Sequence, residues 1–230
     1  MKKCFGGLLL LFMIGITCSS WPQAHREHFR YLPNRYYHVV YSDCLRVPVL
    51  ATWTLPGKVL RFPMERKTKN FRIDKRTVPY ASSSKYYLLQ HYDRGHMCPS
   101  ADRSFSASAQ KETFLMSNIA PQAPSLNRGG WLQAEVFCRA SAITFDSVKI
   151  ACGPIFYTDS IRFLTTGHVA IPDAYWKVVL VASTDSLIAA WIFPNIDSLM
   201  SEKDYRTNID SINKYGYIWK NLEVFATTTH

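Results

Sequence analysis

Two apolar runs, Tyr175 to Ser183 and Leu187 to Phe193, are separated by only Thr184-Asp185-Ser186. Runs rich in β-branched and aromatic residues on either side of a polar turn read as two strands joined in a hairpin. Similar patterns occur upstream. Tyr36 to Ser42 alternates aromatic and aliphatic residues and suggests a first strand, and Val47 to Leu55 a second, with Pro56-Gly57 as a turn. Together these two look like a hairpin at the edge of a sheet. Val148 to Gly153 reads as a buried strand closed by Gly153-Pro154, and 113–120 as a short strand ending at Pro121. Helical signals lie from about Gly130 to Ser141 and within 202–221, around Ile209, Ile212 and Tyr215 with Gly216 as the stop. The pattern predicts an α+β domain whose central sheet is mostly antiparallel and flanked by helices. At 230 residues the chain is long enough for one domain with a proper core.

The N-terminus carries a different message. Lys2 and Lys3 precede the apolar run Phe5 to Thr17, and Cys18, Ser19 and Ser20 follow. Residues 1–20 therefore read as an export signal, too short for a comfortable transmembrane helix. The expected destination is secreted or periplasmic. Cys18 is placed as the first residue of a lipoprotein would be, but Gly15-Ile16-Thr17 is a poor lipobox, so lipid anchoring and plain cleavage both stay open. Residues 21–35 read as a polar, solvated leader. His25 and His28 flank Glu27 there, without the helical periodicity that would make a metal site of them. The folded domain is expected over 36–225. It keeps Cys44, Cys98, Cys138 and Cys152, and none forms a C-x-x-C pair, which disfavours zinc and leaves structural or free thiols as the expectation.

The formal net charge is +10, from 27 Lys and Arg against 17 Asp and Glu. Such a balance permits a polyanionic partner, and equally serves solubility. The basic residues concentrate over 58–85, among them Arg66, Lys69 and Arg72, with Phe62, Phe71 and Tyr80 interspersed. Cations with aromatics between them suit a phosphate backbone and exposed bases, although each residue alone also fits a solvated loop.

Chemistry concentrates between Tyr92 and Glu135. In Asp93-Arg94-Gly95-His96, the glycine permits a tight backbone path, and Arg94 offers a donor fork for phosphate oxygens. His96, with an unperturbed pKa of about 6.5, can take a proton from water at neutral pH. Asn118 reads either as an orienting amide or as a turn residue. Asn127 reads either as the N-cap of the segment starting near Gly130 or as an oxygen ligand for a hard cation. Glu135 stands eight residues on, roughly 12 Å along a helix axis. That step is too long for one ion to touch both side chains, and it suits a glutamate that holds a metal-bound water, the alternative being an ordinary surface glutamate. Together these residues fit one-metal phosphodiester hydrolysis with Mg²⁺, Mn²⁺ being a conceivable substitute.

Tyr92-Asp93-Arg94-Gly95-His96-Met97, Ser117-Asn118-Ile119-Ala120-Pro121-Gln122, Leu126-Asn127-Arg128-Gly129 and Trp131 with Glu135 resemble, in their linked spacing, the DNA/RNA non-specific endonucleases, the ββα-metal nucleases related to mitochondrial endonuclease G. The resemblance implies a ββα-metal (His-Me finger) element beside the sheet. It also implies cleavage of DNA and RNA, single- or double-stranded, leaving 5′-phosphates. By it His96 is the general base, Asn127 the direct metal ligand and Glu135 the holder of a metal-bound water, with Arg94 and Asn118 in support. Where many members carry a phosphate-contacting arginine, Lys69 stands here, with Arg66 and Arg72 as neighbouring substitutes. A binding module of the same fold without catalysis, or a phosphodiesterase acting on a small substrate, are the competing readings.

Overall fold

The computed structural model describes residues 28–61, 63, 70–157 and 160–215. The export segment, the Cys18 site, the His25/Glu27 pair, Arg66 and Lys69 lie outside the described residues. In chain order the strands are β1 (Phe29–Pro33), β2 (His38–Ser42), β3 (Val47–Pro56), β4 (Asp93–His96), β5 (Ile119–Gln122), β6 (Ser147–Ile155), β7 (Arg162–Phe163), β8 (Ala170–Ile171), β9 (Ala174–Val181), β10 (Leu187–Pro194) and β11 (Arg206–Thr207). The helices are α1 (Ala107–Glu112), α2 (Pro124–Arg128), α3 (Gly130–Thr144) and α4 (Ile209–Asn213).

Seven strands form one sheet in the order β1-β2-β3-β6-β9-β10-β11, and every pairing in it is antiparallel. Along β6 and β9 the side chains alternate between two buried faces. Val148, Ile150 and Cys152 with Tyr175 and Val179 join the main core, while Ala151 and Ile155 with Trp176 and Val178 join a second cluster that includes Ile212 of α4. Burial on both faces explains why these strands are near-continuous apolar runs rather than polar/apolar alternations. The main face is covered by α3, which buries Trp131, Ala134, Cys138 and Ala142, a spacing of three to four residues that puts them on one stripe.

The antiparallel α+β architecture agrees with the sequence reading. Its edges do not. β1 occupies the stretch expected as solvated leader, pairing Phe29–Pro33 with β2, so the hairpin of β2 and β3 sits one strand in from the edge. β1 is short and mostly exposed, as an edge strand must be, and it carries no apolar face long enough to announce itself. The stretch expected as a strand from residue 113 is instead a 3-10 turn at Met116–Asn118 that feeds β5. The C-terminal helical signal divides into a 3-10 turn at Glu202–Tyr205 and the short α4. Cys44, Cys98, Cys138 and Cys152 form no disulfide, and burial pushes the last three thiols up to about 12.

Candidate active site on a four-residue strand

β4 carries Asp93-Arg94-Gly95-His96 in extended form, not in a turn, and pairs with β5 apart from the main sheet. Alternation divides the four side chains between two sides. Arg94 and His96 share one side, where Phe71 touches both: the guanidinium carbon lies 4.6 Å from the Phe71 ring centroid and the imidazole 5.4 Å from it. Phe114 meets the imidazole edge-on at 5.0 Å. Arg94 is exposed and its Nη1 donates to Ser84 Oγ at 2.6 Å. The opposite side is shaped by Asp93 and Gly95. A Cβ on Gly95 would run into the Gln122 side chain across the strand pair, so glycine is required there by close approach.

Asp93 joins β4 to the helices. Its Oδ2 accepts from Asn127 Nδ2 at 2.9 Å, and Arg128 grips both carboxylate oxygens at 2.8 and 2.7 Å. Asn127 is therefore not the N-cap of the long helix. It lies in α2, which ends at Gly129 (φ −113°, ψ −108°) before α3 begins. A Cβ on Gly129 would meet Ser125 O at 2.5 Å. The break removes the straight-axis geometry assumed for the step from Asn127 to Glu135. An amide whose nitrogen is given to a carboxylate keeps its oxygen, Asn127 Oδ1, as the remaining acceptor.

Glu135, on α3, has only 11 % of its side chain in solvent. Burial, with Asp102 beside it, outweighs Lys177, Arg139 and the Trp131 indole N–H, which favour the charged form, and leaves its carboxyl raised to about 7. Arg139 stands 3.9 Å from Glu135 and 3.1 Å from Asp102. Trp131, one turn before Glu135, donates its indole N–H to the His96 carbonyl at 3.3 Å. Strand β4 thus has α2 fastened to its first residue and α3 to its last.

Asn118, read from sequence as either an orienting amide or a turn residue, lies in a turn and bonds to the backbone behind His96. It is fully buried in the 3-10 turn before β5. Its Oδ1 accepts from Cys98 N, and Nδ2 donates to the Cys98 and Thr113 carbonyls, each at 2.9 Å. Its own carbonyl accepts from Met97 N. Asn118 fixes the chain as it leaves His96 and offers nothing to a substrate. Arg72 is exposed and bridges to Leu115, its Nη2 donating to Lys111 O at 2.8 Å, so Arg72 borders the site through its neighbour Phe71. Asp93, Arg139 and Asp102 received no role from sequence, and Phe71 was read only as an aromatic among the basic residues of 58–85. Only Arg139, four residues after Glu135 on one helix face, left a readable signal.

Among the described residues no three His, Cys, Asp or Glu side chains gather to hold a metal ion. The Asn127 carboxamide oxygen and the Glu135 carboxylate are oxygen donors of the kind taken by a hard cation that keeps most of its waters. They suit Mg²⁺ or Mn²⁺ and are not a thiolate or imidazole cage.

A two-stranded β4/β5 unit followed by helix beside an antiparallel sheet has the architecture of the ββα-metal nucleases. The chain belongs to the DNA/RNA non-specific endonuclease family, whose family model matches residues 27–229. It is 32 % identical over 173 residues to a nuclease of Syncephalastrum racemosum, covering 66 % of this chain and 54 % of that protein. Against mitochondrial nuclease EXOG of Danio rerio it is 32 % identical over 180 residues, 70 % of this chain and 52 % of that one. Against human mitochondrial endonuclease G it is 27 % identical over 192 residues, 77 % and 65 %. The chain thus spans between about half and two thirds of the length of these curated relatives. Among solved structures, EndoG in its complex with EndoGI superposes with a TM-score of 0.73 at 22 % identity, covering 80 % of this chain and 82 % of that one.

Proposed function

We propose that the chain is an exported endonuclease that hydrolyses phosphodiester bonds of DNA and RNA with one Mg²⁺ ion, leaving 5′-phosphate ends. The observation that carries this reading is the convergence on β4, where Asp93 aims Asn127 and the same strand presents Arg94 and His96 on its other side. His96 takes a proton from the attacking water as the new oxygen–phosphorus bond forms and the bond to the 3′-oxygen breaks. Its ring is kept in place by Phe71 and Phe114. Arg94, spread over Phe71, supplies a guanidinium to the phosphate oxygens as charge develops. Asn127 Oδ1 would hold the ion directly and Glu135 would hold it through water. When bound, Mg²⁺ neutralises charge on the phosphate and stabilises the leaving 3′-oxygen. Export rests on Lys2, Lys3 and the apolar run to Thr17, with Cys18 open to lipidation.

The test is digestion of plasmid DNA and of RNA by the purified mature chain with Mg²⁺ or EDTA, beside His96→Ala. Wild type should cut both polymers only with the ion, and His96→Ala should lose on the order of 10²–10⁴-fold in rate. Binding without cutting, under Mg²⁺ or Mn²⁺, sinks the enzyme reading. Equal rates sink the assignment of the base.

A further inference from the structure

Lys177 lies on β9 with no exposed surface, and its Nζ has no hydrogen-bond partner among the described residues. An ammonium buried without hydrogen bonds is costly, so other interactions must hold it. Two indole rings flank it, and the carboxylates of Glu135 and Asp102 favour its charge. Nζ stands 3.9 Å from the Trp131 ring centroid and 5.4 Å from that of Trp53, both within cation–π range. Each indole directs its N–H away from the lysine and toward the site. Trp131 donates to the His96 carbonyl and lies close enough to Glu135 to favour its charged form. Trp53 donates to Asp102 at 2.9 Å, Asp102 accepts from Arg139, and Arg139 faces Glu135. On the neighbouring strand Cys152, directly opposite Lys177, gives its thiol to the Met97 carbonyl at 3.5 Å.

We propose that Lys177 is a positioning residue that, through the two indoles flanking it, fixes the His96 carbonyl on one side and the Arg139–Glu135 pair on the other. It touches neither substrate nor ion. The lysine is the point at which the base-bearing strand and the helix bearing Glu135 are referenced to the same sheet. The inference deepens the nuclease reading and rests on it.

Lys177→Met keeps the chain length and removes the charge. Removing one charge from beside the buried carboxylates Glu135 and Asp102 costs stability, so Tm should fall and every rate is taken per folded molecule. At the same time kcat per folded molecule should fall about 10- to 100-fold, the usual cost of losing an outer support. The Mg²⁺ concentration that half-saturates cleavage should rise, and the Tm increase that Mg²⁺ gives the protein in the absence of substrate should shrink. A merely structural lysine lowers Tm but leaves kcat per folded molecule and both ion readouts alone, and that result overturns the proposal. Trp53→Phe keeps an aromatic ring beside Nζ but removes the N–H to Asp102 along with the bulk of the second ring, so, per folded molecule, it should shift the two ion readouts more than kcat. If Lys177→Met does not fold, unchanged ion readouts in Trp53→Phe overturn the proposal instead. A wild-type chain that cuts no nucleic acid fails the nuclease reading and takes this inference with it. A wild type that cuts, matched by Lys177→Met in kcat and ion requirement, fails this inference alone.

Discussion

Asp93 shows how much of a site can depend on a residue that need not touch the substrate. One carboxylate, 20 % exposed, fixes the amide of Asn127 and a 71 %-exposed arginine together. The two partners are unequal in weight. The Arg128 ion pair is largely solvated, and such pairs contribute about 0–1 kcal/mol, so Arg128→Ala should leave cleavage close to wild type. Asp93→Ala frees the Asn127 amide to rotate, and the Mg²⁺ needed for half-maximal cleavage should rise on the order of 10- to 100-fold. Titrating cleavage with Mg²⁺ for both variants checks the contrast. A larger effect in Arg128→Ala would mean that the arginine and not the amide is what Asp93 serves.

At the scale of elements, the segment before β4 is tied to the β5 side by Asp74. This residue is 3 % exposed and accepts from Ser117 Oγ at 2.6 Å and from three nitrogens of Arg76. Burial alone would raise its pKa, but the hydrogen bonds from Arg76 and Ser117 prevail and hold it below the ordinary 3.8. A carboxylate with a depressed pKa stabilises the fold above its unfolded value and loses that contribution as pH falls through the folded one. Asp74→Asn should therefore cost about 1.5–3 kcal/mol near neutrality, and its deficit in Tm should close as pH drops below 3.8. Melting curves from neutrality down to about pH 2 test this; a deficit that persists undiminished in acid would place the loss in packing instead of charge. Elements of this kind also mark where sequence was readable. β6, β9 and β10 declared themselves because burial on both faces leaves little but apolar residues. α3 was recognisable from its stripe and its start near Gly130 was readable, but nothing in Asn127-Arg128-Gly129 says that Asn127 belongs to a separate short helix and does not cap the long one. β1 gave no signal because an exposed edge strand needs no core face. Asn118 belonged to a legible motif, but its contacts come from Thr113 and Cys98, and folding alone brings those to it. Lys177 was hidden in a run of apolar neighbours, where only the register opposite Cys152 and the two indoles give it meaning.

For the whole molecule, a net charge of +10 bears on encounter with a polyanion. If three cations of the 58–85 region, such as Arg66, Lys69 and Arg72, sit at phosphates, log K for duplex DNA should fall with log salt at a slope of about −2.7, from 0.9 for each of three contacts. Between about 50 and 200 mM NaCl that is roughly a 40-fold loss. Fluorescence anisotropy with the His96→Ala protein measures it without cleavage, and a flat response would detach the basic segment from substrate binding.

The separation of β4 and β5 from the seven-stranded sheet has a kinetic side. Each of these strands is four residues long, and neither shares a ladder with the strands that hold the core. Although Ile119 and Ala120 reach into the main core, the pair is held by one short ladder and no flanking strand, so its amide hydrogens should exchange with solvent at a lower free energy than those of β6 and β9. The seven-stranded sheet gives the molecule its permanence, while Arg94 and His96 ride on a ladder of only four residue pairs.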